Sequence, residues 1–106
     1  MPKKTVTKTP SDVECWWLYV LQCADGSLYT GITTDVGRRV GEHNAGPKGA
    51  RYTRARRPVA VVSQWPLPNR SAATKAEGRF KALSRSAKLK VMAGQRPLPW
   101  GPDDHE

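Results

Sequence analysis

The sequence predicts an α+β domain in which a small three-stranded antiparallel sheet, a hairpin plus one strand, packs with helices. Three observations predict it. Runs rich in aromatic and β-branched residues, Trp16 to Val20 and Leu28 to Ile32, flank Asp25-Gly26, a strong short-range hairpin signal. Pro58-Val59-Ala60-Val61-Val62-Ser63-Gln64-Trp65 reads as a third strand, ended by Pro66 and Pro68. Ala73, Ala76, Phe80 and Leu83 recur at helical spacing and mark the buried face of a long helix.

Residues 1–13 carry Lys3, Lys4 and Lys8 without an apolar stretch and are expected to form a flexible basic arm, neither signal peptide nor membrane span. The first strand is expected from about Cys15 to Gln22 and the second from about Ser27 to Thr33. Their register depends on the turn. A two-residue Asp25-Gly26 turn pairs Tyr29 with Gln22 and puts Tyr19 and Tyr29 on opposite faces. A three-residue loop, Ala24-Asp25-Gly26, with Gly26 left-handed in a G1 bulge, pairs Tyr29 with Leu21 and brings both phenols to one face. Leu18, Val20, Leu28, Thr30 and Ile32 then share the other face. That is the more coherent apolar surface, so this register and a positive φ at Gly26 are predicted.

A helix follows, capped by Thr34 or Asp35 and ending near Asn44 to Gly46 in a left-handed turn. Gly37 and Gly41 inside it each cost about 1 kcal/mol relative to alanine, so packing through Val36 and Val40 has to hold it. Pro47 to Arg57 reads as a loop dense in glycine and arginine. The long helix is expected to start at a Ser71 cap, and a short last helix to run from about Ser86 to Met92 with Leu89 and Met92 inward. These elements define one domain over residues 14–93. Residues 94–106, with Pro97, Pro99 and Pro102 and an acidic end, are expected to form a mobile tail unless Trp100 pins it. Cys15 and Cys23 stand at the two ends of one strand, about 26 Å apart at the rise of a strand, too far to bridge. Two cysteines and two distant histidines offer no zinc site.

Charge points to the partner. The net charge of the 106 residues is +9, and residues 38–96 hold fifteen of the eighteen Lys and Arg against only Glu42 and Glu77. A body so basic is the electrostatic footprint of a polyanion, most simply DNA. The candidate nucleic-acid contacts are Lys48, Arg51, Arg54, Arg56 and Arg57 clustered around Tyr52, which offers a ring for stacking, together with Lys81. The expected setting is cytoplasmic, without membrane contact, for a monomer.

Tyr19 closes Trp17-Leu18-Tyr19 and Tyr29 opens Tyr29-Thr30-Gly31; Arg39 and His43 follow one helical turn apart, and Glu77 sits later on the long helix. In this order the residues resemble the GIY-YIG nuclease family over roughly residues 16–93. The small stand-alone bacterial members are the nearest in look, through Tyr29 to Asp35 and Gly49-Ala50-Arg51-Tyr52-Thr53. The resemblance implies a metal-dependent endonuclease that nicks DNA of particular structure, as in DNA repair. Tyr19, Tyr29, Arg39 and Glu77 are the residues it carries over. Two departures stand out. Trp17 and Leu18 replace glycine and isoleucine, which supply backbone and packing instead of chemistry. Ile32 occupies a position where excision-repair members often have lysine, and this keeps open a second reading, a non-catalytic nucleic-acid-binding module on the same fold.

The residue types suit phosphodiester hydrolysis. Arg39 presents a planar, permanently charged fork to phosphate oxygens. Glu77 is the metal ligand, for one Mg²⁺ or Mn²⁺ acting as a Lewis acid on the leaving oxygen. The resemblance makes Tyr19 the base or the conduit for the water's proton, and Tyr29 the group that positions water and phosphate. His43, on the Arg39 face of its helix, is expected to orient the water or relay the proton.

Overall fold

The computed structural model describes residues 15–100, so the expected basic arm and the acidic end of the tail lie outside the described residues. Strand β1 (Trp16–Gln22) and strand β2 (Leu28–Thr33) form the hairpin, followed by helix α1 (Val36–Asn44), a single turn of helix α2 (Arg51–Arg54), strand β3 (Ala60–Leu67), helix α3 (Arg70–Lys81) and helix α4 (Arg85–Met92). The sheet is antiparallel throughout in the order β2-β1-β3. The fold class is as predicted.

The hairpin takes the predicted register. Leu21 pairs with Tyr29 and Tyr19 with Gly31. Gly26 has φ of +86°, and the loop closes through the Cys23 amide donating to the Ser27 carbonyl at 2.8 Å. Asp25 stiffens the turn by accepting from the Ser27 amide and hydroxyl at 3.0 and 2.6 Å.

Alternation along β1 and β2 therefore gives the sheet two different faces. Leu18 and Val20 face α3 and α4, where they join Ala73, Ala76, Phe80, Leu67 and Val91 in the main core. Tyr19, Leu21, Cys23 and Val59 form a second cluster on the other face, against Tyr29 and the α1 residues Val36 and Val40. The chemistry-bearing face is thus covered by α1 and α2, while α3 brings Glu77 from behind.

Several boundaries differ from the sequence reading. Strand β3 runs through Pro66, which is paired with Trp17; on an edge strand a proline costs no ladder bond if its nitrogen faces away from the sheet. Asn69, not Ser71, caps α3, its Oδ1 accepting from the Ala72 amide at 2.8 Å. Leu89 is 42% exposed, and Ala87 and Val91 are the residues that α4 buries. Within residues 47–57, expected to be loop throughout, Arg51–Arg54 make one helical turn. Leu98 and Trp100 pack on the main core, Trp100 with its ring 5.4 Å from that of Trp65. Cys15 and Cys23 are both free thiols.

Candidate active site

The site starts from a glycine. A Cβ on Gly31 would lie 2.6 Å from the Tyr19 hydroxyl, so only glycine lets the Tyr19 ring cross β2 at its paired position. The ring runs from the central strand toward the open edge of β2. Helix α1, started by Asp35 accepting from the Arg38 amide at 3.1 Å, lies over it and carries His43 and Arg39 inward. Tyr19 and His43 are 1% and 0% exposed, and the Tyr19 hydroxyl lies 2.8 Å from His43 Nε2. Tyr29 stands beside them, its ring 6.5 Å from Tyr19 and edge-on to His43 at 5.0 Å.

Arg39 is held in place. Its Nη1 donates to Glu42 Oε1 at 2.7 Å and to the Lys48 carbonyl at 2.8 Å, and its guanidinium is also within hydrogen-bonding reach of the Tyr19 phenol. Arg38 takes the other Glu42 oxygen at 2.8 Å. The sequence reading assigned Glu42 no role, although its i,i+3 spacing from Arg39 was a usable signal.

The electrostatics follow from burial. Tyr19 is pushed up to about 12, first by burial and then by Tyr29, while Arg39 works against the rise and Glu77 adds to it. His43 is pushed down to about 4, first by burial and then by the Arg39 charge. His43 is therefore neutral at physiological pH. Glu77 stands on α3, and its ion-pair partner Lys81 lines the same cleft as Tyr29.

Glu77 pairs with Lys81 at 3.0 Å and keeps 23% of its side chain exposed. No group of three or more potential metal-ligating side chains exists among the described residues. A lone, partly exposed carboxylate nevertheless fits a hard, water-retaining ion such as Mg²⁺ or Mn²⁺, which takes one or two carboxylates and completes its shell with water and substrate phosphate.

The predicted nucleic-acid contacts divide into two groups. Lys48, Arg51 and Arg54 are exposed. Arg57 is instead part of the framework, donating to the carbonyls of His43 at 2.6 Å and Gly46 at 2.8 Å at the end of α1. Arg56 bonds Asp25 at 3.0 Å and the Tyr52 carbonyl at 2.9 Å, and its guanidinium lies over the Tyr52 ring at 3.9 Å. Tyr52 also stacks on Tyr29 at 6.0 Å, so its ring is engaged within the protein before any base arrives. Asn44 ends α1 and ties it to the residue before β3, exchanging bonds of 2.9 and 2.7 Å with the Val59 backbone. A cleft of about 280 Å³ opens along β2, lined by Leu28, Tyr29, Thr30, Tyr52, Lys81 and Lys88.

Comparison with known proteins gives the family. The family model described as the GIY-YIG catalytic domain matches residues 15–90. The chain belongs to the GIY-YIG family. Among its curated relatives, a UPF0213 protein of Desulfotalea psychrophila is 49% identical over 83 residues, covering 78% of this chain and 76% of that one. A UPF0213 protein of Streptococcus sanguinis is 56% identical over 73 residues, covering 69% and 83%. The solution NMR structure of a UPF0213 protein from Bacillus halodurans matches with a TM-score of 0.51 at 43% identity, over 76% of this chain and 85% of that one. A second NMR structure, of a protein from E. faecalis, matches with a TM-score of 0.53 at 40% identity, over 76% and 86%. GIY-YIG domains are generally nucleases that act on nucleic acid with a divalent metal, and this chain shares that domain. No described helix is long and apolar enough to cross a membrane.

Proposed function

We propose that this GIY-YIG protein is a divalent-cation-dependent endonuclease that hydrolyses phosphodiester bonds in DNA. The observation that carries the reading is the meeting of Tyr19, Tyr29, Arg39 and His43 on one sheet face, with Lys81, the ion-pair partner of Glu77, in the cleft beside Tyr29. Hydrolysis needs a route for the proton of the attacking water, positive charge for the phosphorus oxygens, and help for the leaving oxygen.

Arg39, tethered by Glu42, supplies the positive charge for the phosphorus oxygens with its planar fork. Tyr29 is the more accessible phenol and orients water and phosphate at the mouth of the cluster. Tyr19, sealed beneath it against His43, takes the proton inward from that side. Glu77 holds the single Mg²⁺ or Mn²⁺, which when bound supplies Lewis-acid stabilisation of the leaving oxygen. Lys81, paired with Glu77 at 3.0 Å, lines the cleft beside Tyr29, where its ammonium would meet a substrate phosphate. Lys48, Arg51 and Arg54 bind the DNA backbone next to the cluster.

The direct test is incubation with duplex, flap, four-way and single-stranded DNA, with Mg²⁺ or Mn²⁺ and with chelator. Cleavage of at least one substrate that stops on chelation supports the reading. Tight binding of all of them without cleavage by homogeneous protein under either ion contradicts it, and points to a binding module on the same fold.

A further inference from the structure

The cleft along β2 joins the two faces of the sheet. In the order β2-β1-β3, β2 is an edge strand, so no further strand covers its outer side. Side chains alternate across it: Tyr29 belongs to the face that carries the phenols, with Tyr52 stacked on it, and Leu28 and Thr30 belong to the face of α3 and α4. Lys81 of α3 and Lys88 of α4 complete the lining. One wall of the cleft is thus the flank of the candidate active site. The other adds Thr30 and Lys88, to which the proposed hydrolysis gives no role.

Both residues are short of partners. Thr30 is 5% exposed, and its hydroxyl makes no hydrogen bond among the described residues. Among those residues only Trp16 Nε1 is both sealed from the surface and unpartnered, so the Thr30 hydroxyl opens on the cleft. Lys88 is half-buried, its ammonium 6.0 Å from the centre of the Phe80 ring, and no carboxylate pairs with it among the described residues. A polar group held this deep without a partner costs stability, and valine would suit a strand better at Thr30. The missing partner is therefore a ligand. Two ammoniums can only donate, and with the hydroxyl beside them they call for an anion rich in acceptors. At about 280 Å³ and open along the strand, the cleft suits a chain that passes through it better than a small molecule enclosed in it.

We propose that Thr30, Lys81 and Lys88 form a second phosphate subsite, which takes a phosphate of the DNA strand neighbouring the one at Tyr29 and Arg39. The strand then crosses the open edge of β2, from the phenol face to the face of α3 and α4, beside the Glu77–Lys81 pair. This deepens the endonuclease reading and rests on its nucleic-acid half. Thr30 is the specific element, because a hydroxyl at that depth reaches only a phosphate seated in the cleft, whereas an exposed lysine answers any nearby charge.

The test is duplex DNA binding in chelator across a range of salt, for the full chain and for Lys88→Gln, Thr30→Val and Lys90→Gln. Lys90 is exposed on the same helix outside the cleft and controls for charge alone. Lys88→Gln is expected to flatten the log–log salt slope by about 0.9, one duplex phosphate contact, and Lys90→Gln to leave it as in wild type. Thr30→Val keeps the shape and removes the hydroxyl. It is expected to weaken binding about tenfold while holding or raising the unfolding midpoint, since a methyl replaces a hydroxyl without a partner. A purely structural Thr30 gives the reverse, lower stability with unchanged affinity, and overturns its part in the subsite. A Lys88→Gln slope equal to that of wild type, or a loss no greater than that of Lys90→Gln, overturns the subsite and leaves the endonuclease reading standing. Absence of DNA binding by the wild type overturns both. The expected slopes in a protein that cleaves no DNA support the subsite and remove only the hydrolysis.

Discussion

Burial raises the Tyr19 phenol to about 12, yet the same burial presses its oxygen against His43 and beneath Tyr29. Removing that oxygen with Tyr19→Phe is expected to lower kcat by about 10²–10⁴ while leaving DNA affinity unchanged, as read by single-turnover cleavage and binding on the same preparation. An unchanged kcat would take Tyr19 out of the proton path. His43 gives a pH signature. It is held near 4 in the folded protein against an ordinary 6.5, so the unfolded chain binds the extra proton first. Stability is therefore full above 6.5 and falls as the pH drops toward 4. Denaturant melts across that window should show the fall in wild type and a shallower one in His43→Gln; equal slopes would mean that His43 is not buried as a neutral ring. The residues of the site were legible in the sequence because order and spacing survive without structure. Their partners were less so: Glu42 was visible only as a helical neighbour of Arg39, and nothing in the sequence tied Thr53 to a histidine ten positions earlier.

At the scale of elements, the hairpin was the most legible part, since one register alone collects Leu18, Val20, Leu28, Thr30 and Ile32 on one face. Helix α2 was not, because a single turn leaves no periodicity, and it is held by contacts distant in sequence. The Asn69 cap was missed because Ser71 offered the same chemistry two residues on, and only the backbone decides between them. Two glycines test how the elements meet. Gly31→Ala puts a methyl against the hydroxyl of Tyr19, which cannot swing away without leaving His43. It is expected to cost about 1–3 kcal/mol in denaturant unfolding and to lower cleavage further than the stability loss accounts for. Gly41 is the opposite case: an added Cβ meets nothing within 4 Å on its exposed side of α1. Gly41→Ala is therefore expected to stabilise the protein by about 1 kcal/mol. Destabilisation in the same measurement would show strain that the helix geometry does not contain.

For the whole molecule, the strongly basic composition made a nucleic-acid partner legible, but not which cations face it. The sequence grouped Arg54, Arg56 and Arg57 together. In the fold, Arg57 closes the end of α1 and Arg56 is bound to Asp25 and Tyr52, whereas Lys48, Arg51 and Arg54 stand exposed. Neutralising the exposed three is expected to weaken binding to all DNA sequences alike and to flatten the salt dependence by about 0.9 in log–log slope per lost duplex phosphate contact. Arg57→Ala should instead lower the unfolding free energy by about 1–3 kcal/mol, because it leaves the His43 and Gly46 carbonyls without their donor.

Glu77 carries the metal half of the proposed mechanism. The most direct measurement compares wild type with Glu77→Ala on one cleavable DNA, following cleavage under Mg²⁺ or Mn²⁺ and binding in chelator side by side. Cleavage should disappear from the variant while binding stays the same or tightens, because the change removes the proposed ion's carboxylate and a negative charge beside the phosphate, and releases Lys81. Cleavage by Glu77→Ala at the wild-type rate would contradict the metal-dependent mechanism at its centre.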